Sequence, residues 1–403
     1  MSSPTYQPSP KIINNYAKVL INYALNSGKG VKPGEVVQCM VPEAAKSLAL
    51  ELQNEILRAG AHPMIHIIPS GFEKSYFELA SEEQLKFFPE AYLRAKADLL
   101  SHNVAIIADE DPLELAETDP AKIMTMRNSR RKYRDWLVAK EHVGKYTWTA
   151  ALWGVPAKAA IVGLSLEEYW DQIIKACFLD AEDPIQEWKK FTSLQTELKD
   201  KLNALEIESL HMLGSDMDIT IKLGADRQWQ GGSGRNIPSF ELFTSPDWRG
   251  TQGWIQFNQP VYRYGGVIEG VRMEFVDGLV AKASATTGDD LLQEMLKTAN
   301  ANKAGEFSLT DSRMSRITHT MAETLFDENI GGPFGNSHIA IGMAYRDCFK
   351  GDPATIIEAE WEERGYNNSA EHTDFVTTTD RTVTATLTDG SQLVIYENGQ
   401  FKL

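Results

Sequence analysis

The strongest constraint on the fold lies between residues 35 and 68. A strand-like apolar run at 35–41 leads to Pro42. Ala45, Leu48, Leu52 and Ile56 then share one helical face, and Gly60 precedes a second strand-like run at 64–68. Proline costs little at a helix start, because its missing N–H would have no intrahelical partner, so Pro42 is expected to open the helix. Gly60, just past the last apolar position, supplies the left-handed residue that ends many helices. Two strands joined by a helix at this spacing lie parallel, with a right-handed crossover. A helix at 12–25 precedes this unit, and a third strand is expected at 103–108. The N-terminal part therefore reads as an α/β domain with a largely parallel sheet.

Residues 110–205 read as helical, including an Arg/Lys run at 127–134 that suits a solvated helix face. Trp148 and Trp153 fall in this region and are assigned to core packing. Past residue 207 the texture changes to short strands at 218–223, 266–275 and 279–285, separated by Gly and Asp turns. A terminal hairpin is expected at 381–396 around Asp389-Gly390. The expected fold class is α/β: an N-terminal α/β domain over 1–206 with a helical extension, and a sheet-rich α+β domain over 207–403 that binds metal. A chain of 403 residues is long enough for two such cores.

Charge and composition exclude several partners. The net charge is -16, and no basic block offers phosphate contacts, so nucleic acid is not expected. No apolar run approaches the length of a membrane span. The opening residues lack the basic and apolar regions of a secretory signal, so a cytoplasmic location is expected. Cys39, Cys177 and Cys348 are far apart and odd in number, which indicates neither a disulfide framework nor a thiolate zinc site.

The chemistry-bearing residues gather late in the chain. His338 lies in Asn336-Ser337-His338-Ile339, and Tyr345 follows it. His372 and Asp374 alternate with Thr373, so on a strand both point to one face. Imidazole nitrogen and carboxylate oxygen together suit Zn²⁺, Co²⁺ or Mn²⁺. Glu241 sits in an apolar stretch between Pro238 and Pro246, and Glu306 in Gly305-Glu306-Phe307-Ser308-Leu309. Burying a glutamate among apolar residues is costly unless a cation compensates it. Glu328, within Asp327-Glu328-Asn329, is a further acidic candidate. Taken singly, these glutamates would be surface residues in most proteins and Tyr345 a core tyrosine. Gly231-Gly232-Ser233-Gly234 lacks the Lys-Ser/Thr of a phosphate loop and reads as a loop beside the site.

With these residues in view, the chain resembles the thermophilic-type metallo-aminopeptidases, the aminopeptidase T and aminopeptidase S group of peptidase family M29. The likeness runs along nearly the whole chain. It includes Lys32-Pro33-Gly34-Glu35-Val36-Val37, Asn236-Ile237-Pro238, Gly266-Val267-Ile268-Glu269-Gly270-Val271, Asp327-Glu328-Asn329 and Ala344-Tyr345, in matching order. The resemblance implies two divalent metal ions per chain (Zn, Co or Mn), with Glu241, Glu306, Glu328, His338, His372 and Asp374 as ligands and Glu306 bridging. It implies a catalytic role for Glu306 and Tyr345, and a metal-activated bridging water as the nucleophile. Expected substrates are peptides with a free N-terminus, and the expected assembly is a homodimer. The alternatives are a non-catalytic peptide- or metabolite-binding homologue and a metallohydrolase of non-peptide amides. The chain departs from the family pattern at 330–335, inserted between Glu328 and His338, and at Arg346 and Phe375.

Overall fold

The expected strand–helix–strand unit is present in a computed structural model, which describes residues 6–224 and 226–403. Strand β1 (Val36–Pro42) pairs in parallel with β2 (His62–Ile68), from Val36 opposite His62 to Pro42 opposite Ile68. The helix Lys46–Arg58 crosses between them, entered through a 3-10 turn at Glu43–Ala45. Pro42 therefore closes the strand instead of opening the helix. Its φ of -57° suits either state, and its ψ of 150° keeps it extended. Ala45, Leu48, Leu52 and Ile56 are fully buried, as the helical period requires. Burying each of the larger three contributes about 1.5–3 kcal/mol. Gly60 ends the helix at φ +74°, its N–H bonded to the Leu57 carbonyl at 3.0 Å.

The chain divides into two compact units, Met1–Lys189 with Ser233–Pro238, and Lys190–Gly232 with Ser239–Leu403. In the first, the sheet runs β2, β1, β3 (His102–Ile107), β4 (Thr147–Leu152) and the short strand Asn236–Ile237, every pair parallel. Strand β4 corrects the expectation that 110–205 is all helical. Thr147-Trp148-Thr149 is β-branched and aromatic, which favours a pleated strand. The run is too short to stand out between the helices Arg131–His142 and Pro156–Ile161. Trp153 is buried and meets Trp170 edge-on with ring centroids 4.6 Å apart. The helices Pro120–Ser129 and Arg131–His142 bury no residue, which fits a solvated basic run.

The second unit holds two antiparallel sheets and a small hairpin. The eight-stranded sheet includes the terminal hairpin, with Arg381–Leu387 paired to Gln392–Glu397 and Gly390 turning at φ +83°. The four-stranded sheet runs His372–Thr377, Asn336–Gly342, Ala304–Thr310, Glu241–Thr244. The hairpin pairs Val261–Arg263 with Gly266–Ile268. No described helix is long and apolar enough to cross a membrane.

Candidate metal centre

Each strand of the four-stranded sheet carries at least one expected ligand, and its register gathers them. Ser308 stands opposite both Phe243 and His338, Glu306 opposite Ala340, Ala340 opposite Asp374, and Gly342 opposite His372. Side chains alternate along each strand. Glu241, Glu306, His338, His372 and Asp374 therefore share one face of the sheet. The other face carries Leu242, Phe307, Leu309, Ile339, Ile341 and Phe375, all buried. That face is mainly apolar, with Thr244, Ser337, Thr373 and Thr377 as its hydroxyl residues, and it favours this register because a one-residue slip would send the ligand carboxylates into it. Phe375, one of the departures from the family pattern, lies in this layer, and Arg346 pairs instead with Glu358 at 2.6 Å.

A bulge aims Glu306. The pairing shifts register between Ala304 and Glu306, leaving Gly305 as the extra residue. A Cβ at Gly305 would lie 2.3 Å from the Met343 carbonyl oxygen, so only glycine fits. One carboxylate oxygen of Glu306 is 3.1 Å from His338 Nε2, and the other is 3.7 Å from His372 Nε2. His338 Nε2 is also 3.3 Å from Glu241, and His372 Nε2 is 3.5 Å from Asp374. Two groups of ligand atoms result, each lying within 4.8 Å of one another: Glu241, Glu306 and His338, and Glu306, His372 and Asp374. Glu306 belongs to both.

The surroundings orient these groups. Ser308 Oγ donates to Glu241 Oε2 at 2.9 Å. His372 Nδ1 is 2.8 Å from the Met343 carbonyl, which holds a proton there and directs Nε2, the candidate ligand atom, toward Glu306 and Asp374. His338 is 1% exposed, and among the described residues its Nδ1 has no hydrogen-bond partner. The Tyr345 ring lies against the His372 ring, tilted by 56° with centroids 4.8 Å apart, and meets Phe243 edge-on. Burial, then the charges of Glu306, Asp374, Glu328 and Glu241, raise the Tyr345 phenol well above its ordinary range.

Glu328 stands outside both groups of ligand atoms. It is nevertheless buried, and burial together with the charges of Glu241, Asp374 and Glu306 pushes it well above the carboxylate range. The rest of its motif is structural. Asp327 accepts the backbone N–H groups of Met321 and Glu323, and Asn329 accepts the N–H of Phe240, the neighbour of Glu241, at 2.6 Å. Asn336 donates to the Glu328 and Ile330 carbonyls, which ties down the start of the inserted segment.

Charge is the clearest property of this face. Burial pushes Glu241 up to about 7 against the pull of His338. Asp374 falls to about 2 despite burial, because His372 and then His338 stabilise its charge. Burial would lower both histidines, yet the carboxylates outweigh it. Glu306 and Glu241 foremost hold His338 at about 9, and Asp374 foremost holds His372 at about 9. Divalent cations fit this donor set, since carboxylate and imidazole without thiolate suit borderline metals and the surplus negative charge needs a counterion.

Sequence reasoning missed Ser308, the Met343 carbonyl, Asn329 and Asn336. Ser308 was legible from the two-residue period with Glu306. A backbone carbonyl leaves no sequence signal. The Gly231–Gly234 stretch proves close-packed at its first residue: Gly231 has φ +151°, and a Cβ there would lie 2.6 Å from the Glu241 carbonyl oxygen.

Comparison with known proteins gives one answer along the whole chain. The profile of the thermophilic metalloprotease (M29) family matches residues 10–401. An aminopeptidase T of Thermus thermophilus is 29% identical over 381 residues, covering 89% of this chain and 91% of that protein. Aminopeptidase PepS of Streptococcus thermophilus is 26% identical, covering 96% of this chain and 97% of that protein. The solved structure of wild-type AmpT from Thermus thermophilus shares the fold, with a TM-score of 0.82 at 23% identity over 98% of this chain and 99% of that one.

Proposed function

Because the chain belongs to the thermophilic metalloprotease family M29, we propose that it is a metal-dependent aminopeptidase using two divalent ions that share Glu306. The observation that carries this reading is the membership of Glu306 in both groups of ligand atoms. Glu241 and His338 complete one group, and His372 and Asp374 the other. Glu328 is assigned to the Glu241 side as an added carboxylate. When bound, the ions supply Lewis acidity, lowering the pKa of a water to ~7 and polarising the scissile carbonyl.

The chain's own residues do the rest. Glu306, fixed by the Gly305 bulge, holds both halves of the site at one separation. The Met343 carbonyl keeps the His372 proton on Nδ1, so Nε2 stays available as a ligand. Ser308 holds Glu241 by one oxygen. The Tyr345 phenol stays protonated at neutral pH and can donate to the oxyanion that forms as the carbonyl is attacked. One ion, when bound, would offer a coordination position to the free α-amine of a peptide, which would account for attack at the N-terminal bond. The proposed substrates are thus peptides with a free N-terminus. A complete ligand set argues against a homologue that has lost turnover. A homodimer is the proposed assembly, measured by sedimentation of the purified chain.

The test is turnover of aminoacyl amides and their N-acetylated forms, with and without chelator and added Zn²⁺, Co²⁺ or Mn²⁺. Hydrolysis of the free-amine substrates alone, lost on chelation and restored by metal, is the expected result. Equal rates on acetylated substrates, or undiminished turnover by metal-stripped protein, would overturn the reading.

A further inference from the structure

Beside the metal face lies a buried carboxylate that the proposed chemistry does not use. Glu371 is 3% exposed and immediately precedes His372. It lies just before the strand His372–Thr377, and its bond to the Thr373 hydroxyl puts its carboxylate on the Thr373 side, away from the ligand atoms. Two of its three donors come from the small hairpin: Tyr264 Oη donates at 2.6 Å and Arg263 Nη2 at 3.5 Å. The third is the hydroxyl of Thr373. The same Arg263 nitrogen donates to the His372 carbonyl at 2.9 Å. The hairpin thus grips the first residues of the His372 strand by one side chain and one backbone oxygen.

The hairpin is shaped for this grip at a local cost. Arg263 stands opposite Gly266, so the turn is Tyr264-Gly265, with φ +51° and +74°. Gly265 adopts this region freely. A tyrosine there is strained and ordinarily gives way to asparagine, aspartate or glycine. Tyr264 is 63% exposed, so ring burial does not explain its presence, whereas its hydroxyl reaches a buried carboxylate. Backbone strain held by a specific side-chain contact beside a reactive centre is a sign of function.

Met343 completes the grip from the opposite side. Its N–H donates to the Glu371 carbonyl at 2.7 Å, and its carbonyl faces His372 Nδ1 at 2.8 Å. His372 is therefore held at its ring, at its own carbonyl and at the preceding residue. No comparable clasp from the hairpin reaches His338 among the described residues, where the strand is central in its sheet and paired on both sides.

We propose that Glu371, Arg263 and Tyr264 form a positioning clasp for His372, which sets metal affinity in the His372–Asp374 half of the site and leaves the Glu241–His338 half unaffected. The proposal rests on the two-ion reading above. None of the three belongs to the groups of ligand atoms; they act through the orientation of His372, and the Arg263 charge also favours the ionised Asp374 carboxylate. Outer partners that orient a ligating histidine typically change metal affinity by ~10–100-fold.

The experiment is calorimetric titration of metal-stripped protein with Zn²⁺ or Mn²⁺, with elemental analysis after dialysis at fixed free metal. It is run on wild type, Glu371→Gln, Arg263→Met, Arg263→Lys and Tyr264→Phe. The expected result is two ions in wild type and a ~10-fold or greater loss of affinity for one ion only in Glu371→Gln and Arg263→Met. Arg263→Lys should recover part of that loss, and Tyr264→Phe should show a smaller loss of the same ion. Tyr264→Phe deletes one hydroxyl from an exposed ring, so it keeps the test independent of folding. Two ions bound with wild-type affinities in all variants would overturn the clasp while leaving the two-ion reading intact. Fewer than two ions in wild type would overturn that reading instead. Equal weakening of both ions would show general loosening of the unit and also overturn the clasp.

Discussion

Both sheets that carry buried histidines carry a histidine–glutamate pair, and the two pairs behave in opposite ways. In the parallel sheet, His102 Nε2 lies 2.8 Å from Glu35 and its Nδ1 2.8 Å from the Thr147 hydroxyl. Glu35 also accepts from the Lys32 N–H and the Asn26 amide. Both ring nitrogens of His102 are matched, and burial lowers the His102 pKa despite Glu35. In the metal face, His338 lies 3.1 Å from Glu306, one ring nitrogen has no partner among the described residues, and neighbouring carboxylates raise the pKa to about 9 against burial. The residue types are the same. What differs is whether donors and charges balance within the fold. A balanced pair is a structural staple, and an unbalanced one is suited to hold a cation.

The largest expected effect separates the two glutamates by activity. Glu306→Gln should reduce kcat/KM by more than the ~10–100-fold typical of groups that only orient a ligand, and Glu35→Gln should leave it within a few-fold. Glu328→Ala should fall between them. Steady-state kinetics with circular dichroism as the folding control measures this, and comparable losses for Glu35 and Glu306 would break the comparison.

Metal removal should affect one sheet alone. Chelation should abolish turnover and lower Tm, with readdition restoring both; saturation at ~100 Kd contributes about 2.7 kcal/mol. The Tm response to metal should vanish in Glu306→Ala and persist in His102→Gln. A Tm that ignores metal in wild type would contradict the account.

In metal-free protein the two glutamates should differ in the sign of their stability effect. Glu241 has a folded pKa of about 7, above its unfolded value of ~4.3. A carboxyl so raised costs stability as pH climbs from ~4.3 through 7, so Glu241→Gln should stabilise by on the order of 1–3 kcal/mol above pH 7 and by nothing below pH ~4. Glu35 is held below its usual range: burial would raise it, but the Lys32 N–H and then His102 win. Its contribution is present above ~4.3 and is lost as pH falls through the folded value, so Glu35→Gln should destabilise at neutral pH. Urea unfolding across pH measures both, and gains or losses of the same sign would remove the distinction.

The smallest effect belongs to His102. Its folded pKa lies below the unfolded ~6.5, so the unfolded chain takes up the proton first and stability declines as pH drops below ~6.5. His102→Gln should flatten that part of the pH profile, and an unchanged slope would show that another group sets it.

Much of this was legible in the sequence where period and punctuation agree. The apolar face of Ala45, Leu48, Leu52 and Ile56, ended by Gly60, needed only the helical repeat. His372 and Asp374 share a face because strands alternate, and Ser308 follows Glu306 by the same rule. Other features are set by tertiary pairing. Strand β4 is a short β-branched run between helices, and a central place in a parallel sheet overrides its surroundings. Glu241 and Glu306 read singly as surface glutamates, because their burial depends on a register that no local pattern encodes. Glu371 was visible beside His372, but its partners lie on a hairpin more than a hundred residues earlier in the chain.

The central claim is that one glutamate serves two ions, and anomalous diffraction from crystals of metal-loaded protein tests it most directly. The account predicts two anomalous peaks per chain, both within bonding distance of Glu306, one also ligated by Glu241 and His338 and the other by His372 and Asp374. A single peak, or two peaks of which only one touches Glu306, would contradict it.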